Sequence, residues 1–255
     1  MRSTRSRAGL ATTGLLTLAL TTVGLLATTP TAGAAGAGGK PAVGECRTIT
    51  ASQAEAKSNT TAPAPCSKAH NDRVITVQKL PTGVTWDQLS DRQIVKQGIK
   101  QCTPAFRRTL GQSDVVRDRS AYDLVFFQPT ADQITAGARW LRCDLVLRHA
   151  KSLADLPNDK TPALSGLPLP NKVARCLKGT NHLTTTCASK HSFRSTGSFA
   201  VASKTFPGRR QLIKIGRSRC PSLVHSRSYL FTWKPKLVWN LVHDRVVVCF
   251  TKTSS

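Results

Sequence analysis

The sequence predicts an α+β fold made of two tandem, disulfide-stapled repeats, each a small sheet with two or more helices. Three observations support this: an even number of cysteines, a duplicated order of short motifs, and helical and strand periodicities around those cysteines. The chain has 255 residues, enough for two small domains. Its 40% hydrophobic and 20% charged residues exclude a mainly disordered chain or a polytopic membrane protein.

Residues 1–37 have the layout of a secretory signal peptide. Arg2, Arg5 and Arg7 precede an uncharged, largely apolar stretch, and small residues with two A-x-A processing sites follow. Because the apolar stretch is long, an uncleaved signal anchor that tethers the protein to the membrane is the alternative. We therefore expect a protein that is secreted or held at the extracellular face of the cell envelope.

The eight cysteines that follow fall into two sets of four, and an even count in an exported chain predicts disulfides. They are Cys46, Cys66, Cys102 and Cys143 in the first set, and Cys176, Cys187, Cys220 and Cys249 in the second.

Short motifs around the two sets of cysteines match in the same order. Val43-Gly-Glu-Cys46 corresponds to Val173-Ala-Arg-Cys176, and both second cysteines are followed four residues later by a histidine and seven residues later by an arginine. Both fourth cysteines lie 14 residues after a proline and 4 after an arginine. We interpret this as a duplication, with repeat 1 over 40–150, a Pro-rich linker over 151–170 and a divergent, strongly basic repeat 2 over 171–255.

The elements of repeat 1 follow from periodicity and capping. Thr85–Gln88 has the form of a capping box, and apolar residues including Cys102 then recur on one helical face. Residues 122–127 predict a strand, and Thr130–Gln133 a second capping box before a short helix. Residues 140–147 predict a strand whose alternation points Cys143 toward the core. We expect each sheet to carry its helices on one face.

Two core-facing cysteines, one on a helix and one on a strand, favour pairing Cys102 with Cys143. That leaves Cys46 for Cys66, and by analogy repeat 2 pairs its first two and its last two cysteines. Pairing within the repeats allows nine combinations, of which this is one.

The segment Phe127-Gln-Pro-Thr-Ala-Asp-Gln-Ile-Thr-Ala-Gly-Ala-Arg-Trp-Leu-Arg-Cys-Asp-Leu145, with Val43-Gly-Glu-Cys46 and Pro65-Cys66-Ser-Lys-Ala-His70, resembles the septum-formation family of actinobacterial exported proteins. The resemblance covers residues 43–148 well, and the rest only through spaced Cys, His, Pro and Arg. It implies an envelope location and a link to cell division. It implies no reaction, ligand or catalytic residue.

His70 and His191 stand four residues after a cysteine in both repeats, which makes them candidates for a shared binding feature. One interpretation is a zinc half-site, and another is a cysteine nucleophile with its base. We favour a disulfide beside a turn in which each histidine hydrogen-bonds the backbone, because an exported chain with an even cysteine count leaves no free thiolate. We predict no metal, cofactor or catalytic residue.

Carboxylates are the basis of the alternative enzymatic hypothesis, an envelope hydrolase that uses His70 or acids of repeat 1. Residues 171–255 hold one acidic residue, Asp244, so repeat 2 lacks the carboxylate pair of a glycosidase. Most acids of repeat 1 fall at predicted helix starts or loops, where capping explains them. Those considered are Asp87, Asp91, Asp114, Asp118, Asp123, Asp132 and Asp144.

The net charge of +24 is concentrated in repeat 2. Residues 40–150 hold 16 basic and 10 acidic residues, whereas residues 171–255 hold 16 basic residues and one acidic. A candidate anion-binding cluster consists of Lys204, Arg209, Arg210, Lys214, Arg217 and Arg219, with Lys234 and Lys236 beside Trp233 and Trp239. We expect Trp239 to lie in the core, because it takes the place of Gln133 on the short helix.

Together these features predict a non-enzymatic binding or scaffold module near the division site. The expected partner is an anionic cell-envelope polymer or an envelope protein, with no intracellular nucleic acid. Its rivals are the hydrolase and a redox or metal-binding protein.

Overall fold

A computed structural model of the chain describes residues 39–157, 164 and 166–253, so the predicted signal peptide lies outside the described residues. The strands are β1 (Cys46–Arg47), β2 (Asp72–Lys79), β3 (Tyr122–Phe127), β4 (Trp140–His149), β5 (Ser152–Ala154), β6 (Arg175–Lys178), β7 (Leu183–Thr186), β8 (Phe193–Ala200), β9 (Tyr229–Trp233) and β10 (Val246–Lys252). The helices are α1 (Ala51–Ala54), α2 (Asp91–Leu110), α3 (Asp114–Arg117), α4 (Ala131–Thr135), α5 (Arg209–Arg219) and α6 (Lys236–Val242).

These strands form two antiparallel sheets of five strands each. The first sheet has the order β1-β2-β4-β3, with β5 added beside β4. The second sheet has the order β7-β6-β8-β10-β9. If β7 is set aside, the second sheet has the same topology as β1-β2-β4-β3 of the first: in the path β6-β8-β10-β9, the last two strands along the chain are likewise exchanged in position. The predicted mixture of helices and small sheets is thus confirmed.

Helix α2 is the principal helix of the first sheet. Its start differs from the prediction, because the Thr85–Gln88 capping box closes a single 3₁₀ turn over Trp86–Gln88. A second capping box begins α2, in which the Ser90 backbone N–H donates to the Gln93 side chain at 2.9 Å. Sequence alone does not separate two such boxes five residues apart. The helix then buries Cys102 against Cys143 of β4.

Both faces of the first sheet are covered. In β4, residues 140–147 are all buried, although every second side chain was expected to face away from the helical core. The segment that contains α1 lies on this other face, where Ile49 and Ala54 pack against Val125, Phe127 and Val146. The expectation of helices on one face is therefore incomplete, because the sequence gives no direct sign that the N-terminal segment folds back.

The second sheet is covered by α5 and α6 on one face and by α3 on the other. Leu212 of α5 and Trp239 of α6 are fully buried with Val247 and Cys249 of β10, which confirms the core position of Trp239. On the opposite face, Val115 of α3 packs against the cluster that includes Val246 and Val248.

Four disulfides fix the two sheets. They are Cys46–Cys66, Cys102–Cys143, Cys176–Cys187 and Cys220–Cys249, with Cα–Cα distances of 5.3, 5.5, 5.1 and 5.5 Å. This is the pairing predicted from the sequence, and all eight cysteines are used.

The two sheets are joined by backbone pairing. The Ala121 N–H donates to the Val173 carbonyl at 2.8 Å, and the Arg175 N–H donates to the Arg119 carbonyl at 2.7 Å. Within residues 151–170, Leu156 and Leu169 are buried. The described part of this predicted linker therefore packs against the folded chain.

Candidate functional site

Helix α5 carries five of the six residues of the basic cluster predicted from the sequence, and Lys204 lies in the segment before the helix. The six residues Lys204, Arg209, Arg210, Lys214, Arg217 and Arg219 are all exposed. Among the residues that the structure describes, none of the six lies within ion-pair distance of a carboxylate. The cluster therefore keeps its full positive charge.

The position of α5 explains why one of its faces is basic. Leu212 and Gly216, four residues apart, face the core. Arg210, Lys214 and Arg217 have the spacing i, i+4, i+7, so they share a face that points away from the sheet. We call these three residues the α5 stripe. Arg219 lies off it, with its guanidinium 3.9 Å from the centre of the Phe199 ring.

Helices α2 and α5 share a pattern that the comparison of cysteine neighbours missed. Arg92-Gln-Ile-Val-Lys96-Gln-Gly98 precedes Cys102, and Arg210-Gln-Leu-Ile-Lys214-Ile-Gly216 precedes Cys220 at identical offsets. Both glycines pack closely against a phenylalanine ring of a neighbouring strand. A Cβ at Gly98 would lie 2.5 Å from the Phe126 ring, and one at Gly216 would lie 2.4 Å from the Phe231 ring.

The shared pattern also shows where the two helices differ in charge. Three positions of α2, Asp91, Ile99 and Gln101, correspond to Arg209, Arg217 and Arg219 of α5. Lys100 of α2 corresponds to Ser218, so the matched positions carry a net charge of +2 over 91–101 and +5 over 209–219.

A second candidate site is a polar cleft of about 150 Å³ between the two sheets. Helix α3 and the loop after it contribute Arg117 and Asp118, and the first sheet contributes Tyr122, Asp123 and Arg148. The second sheet contributes Arg175, together with Lys234 directly after β9. Lys234 was predicted as part of the exposed basic cluster. Instead its Nζ lies 2.9 Å from Asp118 and 3.5 Å from Asp244, so it bridges two buried carboxylates.

The environment of the cleft changes the ionisation of its groups. Burial lowers the pKa of Lys234, but Asp118 and Asp244 outweigh it and leave that pKa raised. Burial raises the pKa of Asp244 to about 6, with Asp118 adding to the shift. Burial also lowers the pKa of Arg175 and raises that of Tyr122 to about 12. The cleft thus concentrates perturbed ionisable groups, which is common at binding sites and in structural ion networks.

His70 and His191 occupy equivalent turns beside a disulfide. The Nδ1–H of His70 donates to the Lys68 carbonyl at 2.8 Å, and that of His191 donates to the Ser189 carbonyl at 2.7 Å. Both contacts agree with the favoured interpretation. Ligand atoms of Cys176, Cys187 and His191 lie within 4.8 Å of one another, but the two sulfurs are bonded together. They therefore offer no thiolate to a metal.

Asp72 and Asp144 form a buried carboxyl pair, and Asp72 was not among the acids considered from the sequence. Both are 0% exposed, and Arg142 Nε lies 2.7 Å from Asp144. Burial and the neighbouring Asp144 raise the pKa of Asp72 to about 9. Burial also raises the pKa of Asp144, although Arg142 and Arg47 act against it. The raised pKa means that Asp72 keeps its proton at neutral pH.

The other acids considered from the sequence are mostly helix starts. Asp87, Asp91, Asp114 and Asp132 lie in first turns, as expected. The cleft and the carboxyl pair were missed because they depend on contacts between distant segments.

No helix among the described residues has both the length and the apolar character to cross a bilayer. Comparison with curated proteins and with solved structures finds no match. The family described as Septum formation matches residues 85–232. This match leaves out residues 43–84, with Cys46 and Cys66, that the expected resemblance over 43–148 included. It extends farther than expected in the other direction, to β9, and includes α5. Because it covers more than half of the 255 residues, the chain belongs to the septum-formation family.

Proposed function

We propose that this septum-formation family protein is a non-enzymatic module of the cell envelope that binds an anionic envelope polymer through the α5 stripe, near the division site. The observation that carries the proposal is the exposed, unpaired positive charge on α5. Four disulfides and the family fit an extracellular or envelope protein. A strongly basic surface in that compartment favours a polyanionic partner.

The geometry of α5 supports binding to an extended polyanion. The stripe is held in place because Leu212 is buried and the helix ends at Cys220, which is bonded to β10. Each phosphate or carboxylate that contacts a row of cations on a rigid helix adds to the binding free energy, and the counter-ions of the polymer are released. A long flexible ligand can follow the row without a deep pocket.

The proposal includes the organisation of the chain as two related units over 40–150 and 171–255. It is supported by the repeated strand order, the equivalent disulfides and the pattern shared by α2 and α5. Register supports it further, since Cys143 pairs with Phe126 and Cys249 pairs with Phe231. In this view the two helices differ in where their charge lies: α5 has five basic residues in eleven positions and no acid, whereas the matched part of α2 has three basic residues and Asp91.

The non-enzymatic part of the proposal is supported by the burial of the carboxyl pair. Asp72 and Asp144 are both 0% exposed, so a substrate would reach them only after the covering segment moved. His70 is also 0% exposed, and its Nδ1 is held by the backbone. These three buried residues therefore do not provide the accessible acid and base that a hydrolase needs.

The test is cosedimentation of the purified chain with cell walls that retain their anionic polymers and with walls stripped of them by acid. We expect binding to the intact walls only. The variant Arg210→Gln/Lys214→Gln/Arg217→Gln should lose most of this binding, because it removes the stripe and leaves the buried face of α5 unchanged.

A matched control lies on the equivalent helix. Arg92→Gln/Lys96→Gln/Lys100→Gln removes three exposed positive charges from α2 and lowers the net charge equally. It should bind intact walls nearly as well as the parent chain. Equal losses in the two triple variants would mean that overall charge, and not the α5 stripe, governs binding, and equal binding to stripped walls would refute the polymer as partner.

A further inference from the structure

The inter-sheet cleft contains hydrogen-bond donors without partners. Tyr122 is 7% exposed, and its Oη has no hydrogen-bond partner among the described residues. The same holds for the buried Nε of Arg175. Both residues line the cleft. A buried donor without a partner costs free energy, so the cleft favours a guest that accepts hydrogen bonds.

Charge in the cleft points to an anionic guest. Arg148 Nε lies 2.7 Å from Asp123, Lys234 bridges Asp118 and Asp244, and Arg117 pairs with Asp114. Arg175 differs from these cations. Within the described residues its side chain has no carboxylate at ion-pair distance, and it donates one long hydrogen bond of 3.5 Å to the Asp118 carbonyl. Asp118 and Asp123 act on its charge from farther away. Arg175 is therefore the one of these four cations without a direct ion-pair partner.

We propose that this cleft binds a compact monoanionic group, a carboxylate or a phosphodiester. Such a group would accept hydrogen bonds from Tyr122 Oη and from the Arg175 guanidinium, and it would give Arg175 a direct ion-pair partner. The volume of about 150 Å³ suits a few non-hydrogen atoms and excludes a sugar chain. The negative charges of Asp118 and Asp123 would repel a dianion. Because Lys234 and Arg148 pair with these two carboxylates, the repulsion of a monoanion is smaller.

Because both sheets supply its walls, the site exists only when the two sheets are held together by the pairing of residues 119–121 with 173–175. It is separate from the α5 stripe, and it does not depend on the proposed polymer binding. A ligand here would stabilise the arrangement of the two sheets by mass action.

The test is NMR titration of the purified chain with acetate and, separately, dimethyl phosphate, with chloride at equal ionic strength as reference. The readouts are the Arg175 Nε–H signal and the backbone amides of Tyr122 and Lys234. We expect saturable shifts with at least one probe. Saturable shifts with acetate but not with dimethyl phosphate would identify a carboxylate site. Saturable shifts with dimethyl phosphate but not with acetate would identify a phosphodiester site.

Two variants make the result decisive. Tyr122→Phe removes only an unpartnered hydroxyl, so it should leave folding intact and weaken binding roughly tenfold, as expected for a hydrogen bond to a charged group. Arg175→Gln should abolish binding, whereas Arg217→Gln on the α5 stripe should leave it unchanged. Absence of saturable shifts with both probes, or equal affinity in parent and Tyr122→Phe chains, would overturn the proposal.

Discussion

Replacing Asp72 with asparagine should change how the stability of the protein depends on pH. The folded pKa of Asp72 is about 9 against an ordinary 3.8, because the side chain is buried beside Asp144. Between these values the folded chain keeps a proton that the unfolded chain releases. Stability from this group is therefore full at acidic pH and falls as pH rises toward 9, by about 1.4 kcal/mol per pH unit.

The asparagine side chain in the Asp72→Asn variant carries no titrating proton and still offers an N–H donor to Asp144. From pH 5 to pH 8, the free energy of unfolding of the parent chain should fall relative to that of the variant by about 4 kcal/mol. The assay is chemical denaturation at several pH values, with Asp132→Asn, an exposed first-turn acid, as control. Parallel pH profiles of the parent and Asp72→Asn chains would refute the raised pKa of Asp72.

Two further substitutions test the packing and the cleft. Gly216→Ala should destabilise the fold, because the collision of the new Cβ with the Phe231 ring costs about 1–3 kcal/mol, more than the roughly 1 kcal/mol that alanine gains in a helix. Lys234→Met should cost roughly 3 kcal/mol by leaving Asp118 and Asp244 unpaired. This second loss should be smaller below pH 6, where Asp244 becomes protonated, since its pKa is about 6.

Both outcomes are measurable by denaturation, and each has a clear contrary result. Ser218→Ala, at an exposed position of α5, should be neutral or slightly stabilising, so equal effects at 216 and 218 would contradict close packing of the helix on β9. A Lys234→Met penalty that is independent of pH would contradict the buried carboxylate bridge.

Local signals in the sequence were enough to predict several elements of the fold. Residues 122–127 became β3 as expected, and the Thr130–Gln133 capping box began α4. The faces on which Cys102 and Cys143 lie favoured one of nine disulfide combinations, with the other pairs assigned by elimination and analogy, and the structure has this combination. These predictions succeed because alternation, helical spacing and caps depend on residues within a few positions of one another.

The parts that were missed depend on distant contacts. Arg142 and Asp144 lie on a strand face that was expected to be polar and open, but α1 and its neighbouring loops cover it, and Asp72 completes a buried network there. Lys234 follows an aromatic strand in a basic segment, which resembles a surface position. Only the approach of Asp118 from the first half of the chain makes it a buried bridge.

The motif shared by α2 and α5 was available in the sequence and was overlooked because the two halves were aligned on the neighbours of their cysteines. Glycines lie four residues before Cys102 and Cys220, and the structure explains why: each packs against a phenylalanine ring, with no space for a Cβ. An arginine and a lysine precede each glycine by six and two residues. This pattern matches the two halves of the chain over more consecutive positions than the spaced prolines do.

The salt dependence of binding to intact cell walls tests the central claim most directly. A plot of log K against log salt concentration should have a negative slope, and neutralising Arg210, Lys214 and Arg217 should reduce its magnitude by about 2 to 3, at roughly 0.7–0.9 per phosphate contact. The α2 triple variant should leave the slope almost unchanged. Parallel plots for the parent chain and the α5 variant would contradict an anionic polymer bound along the α5 stripe.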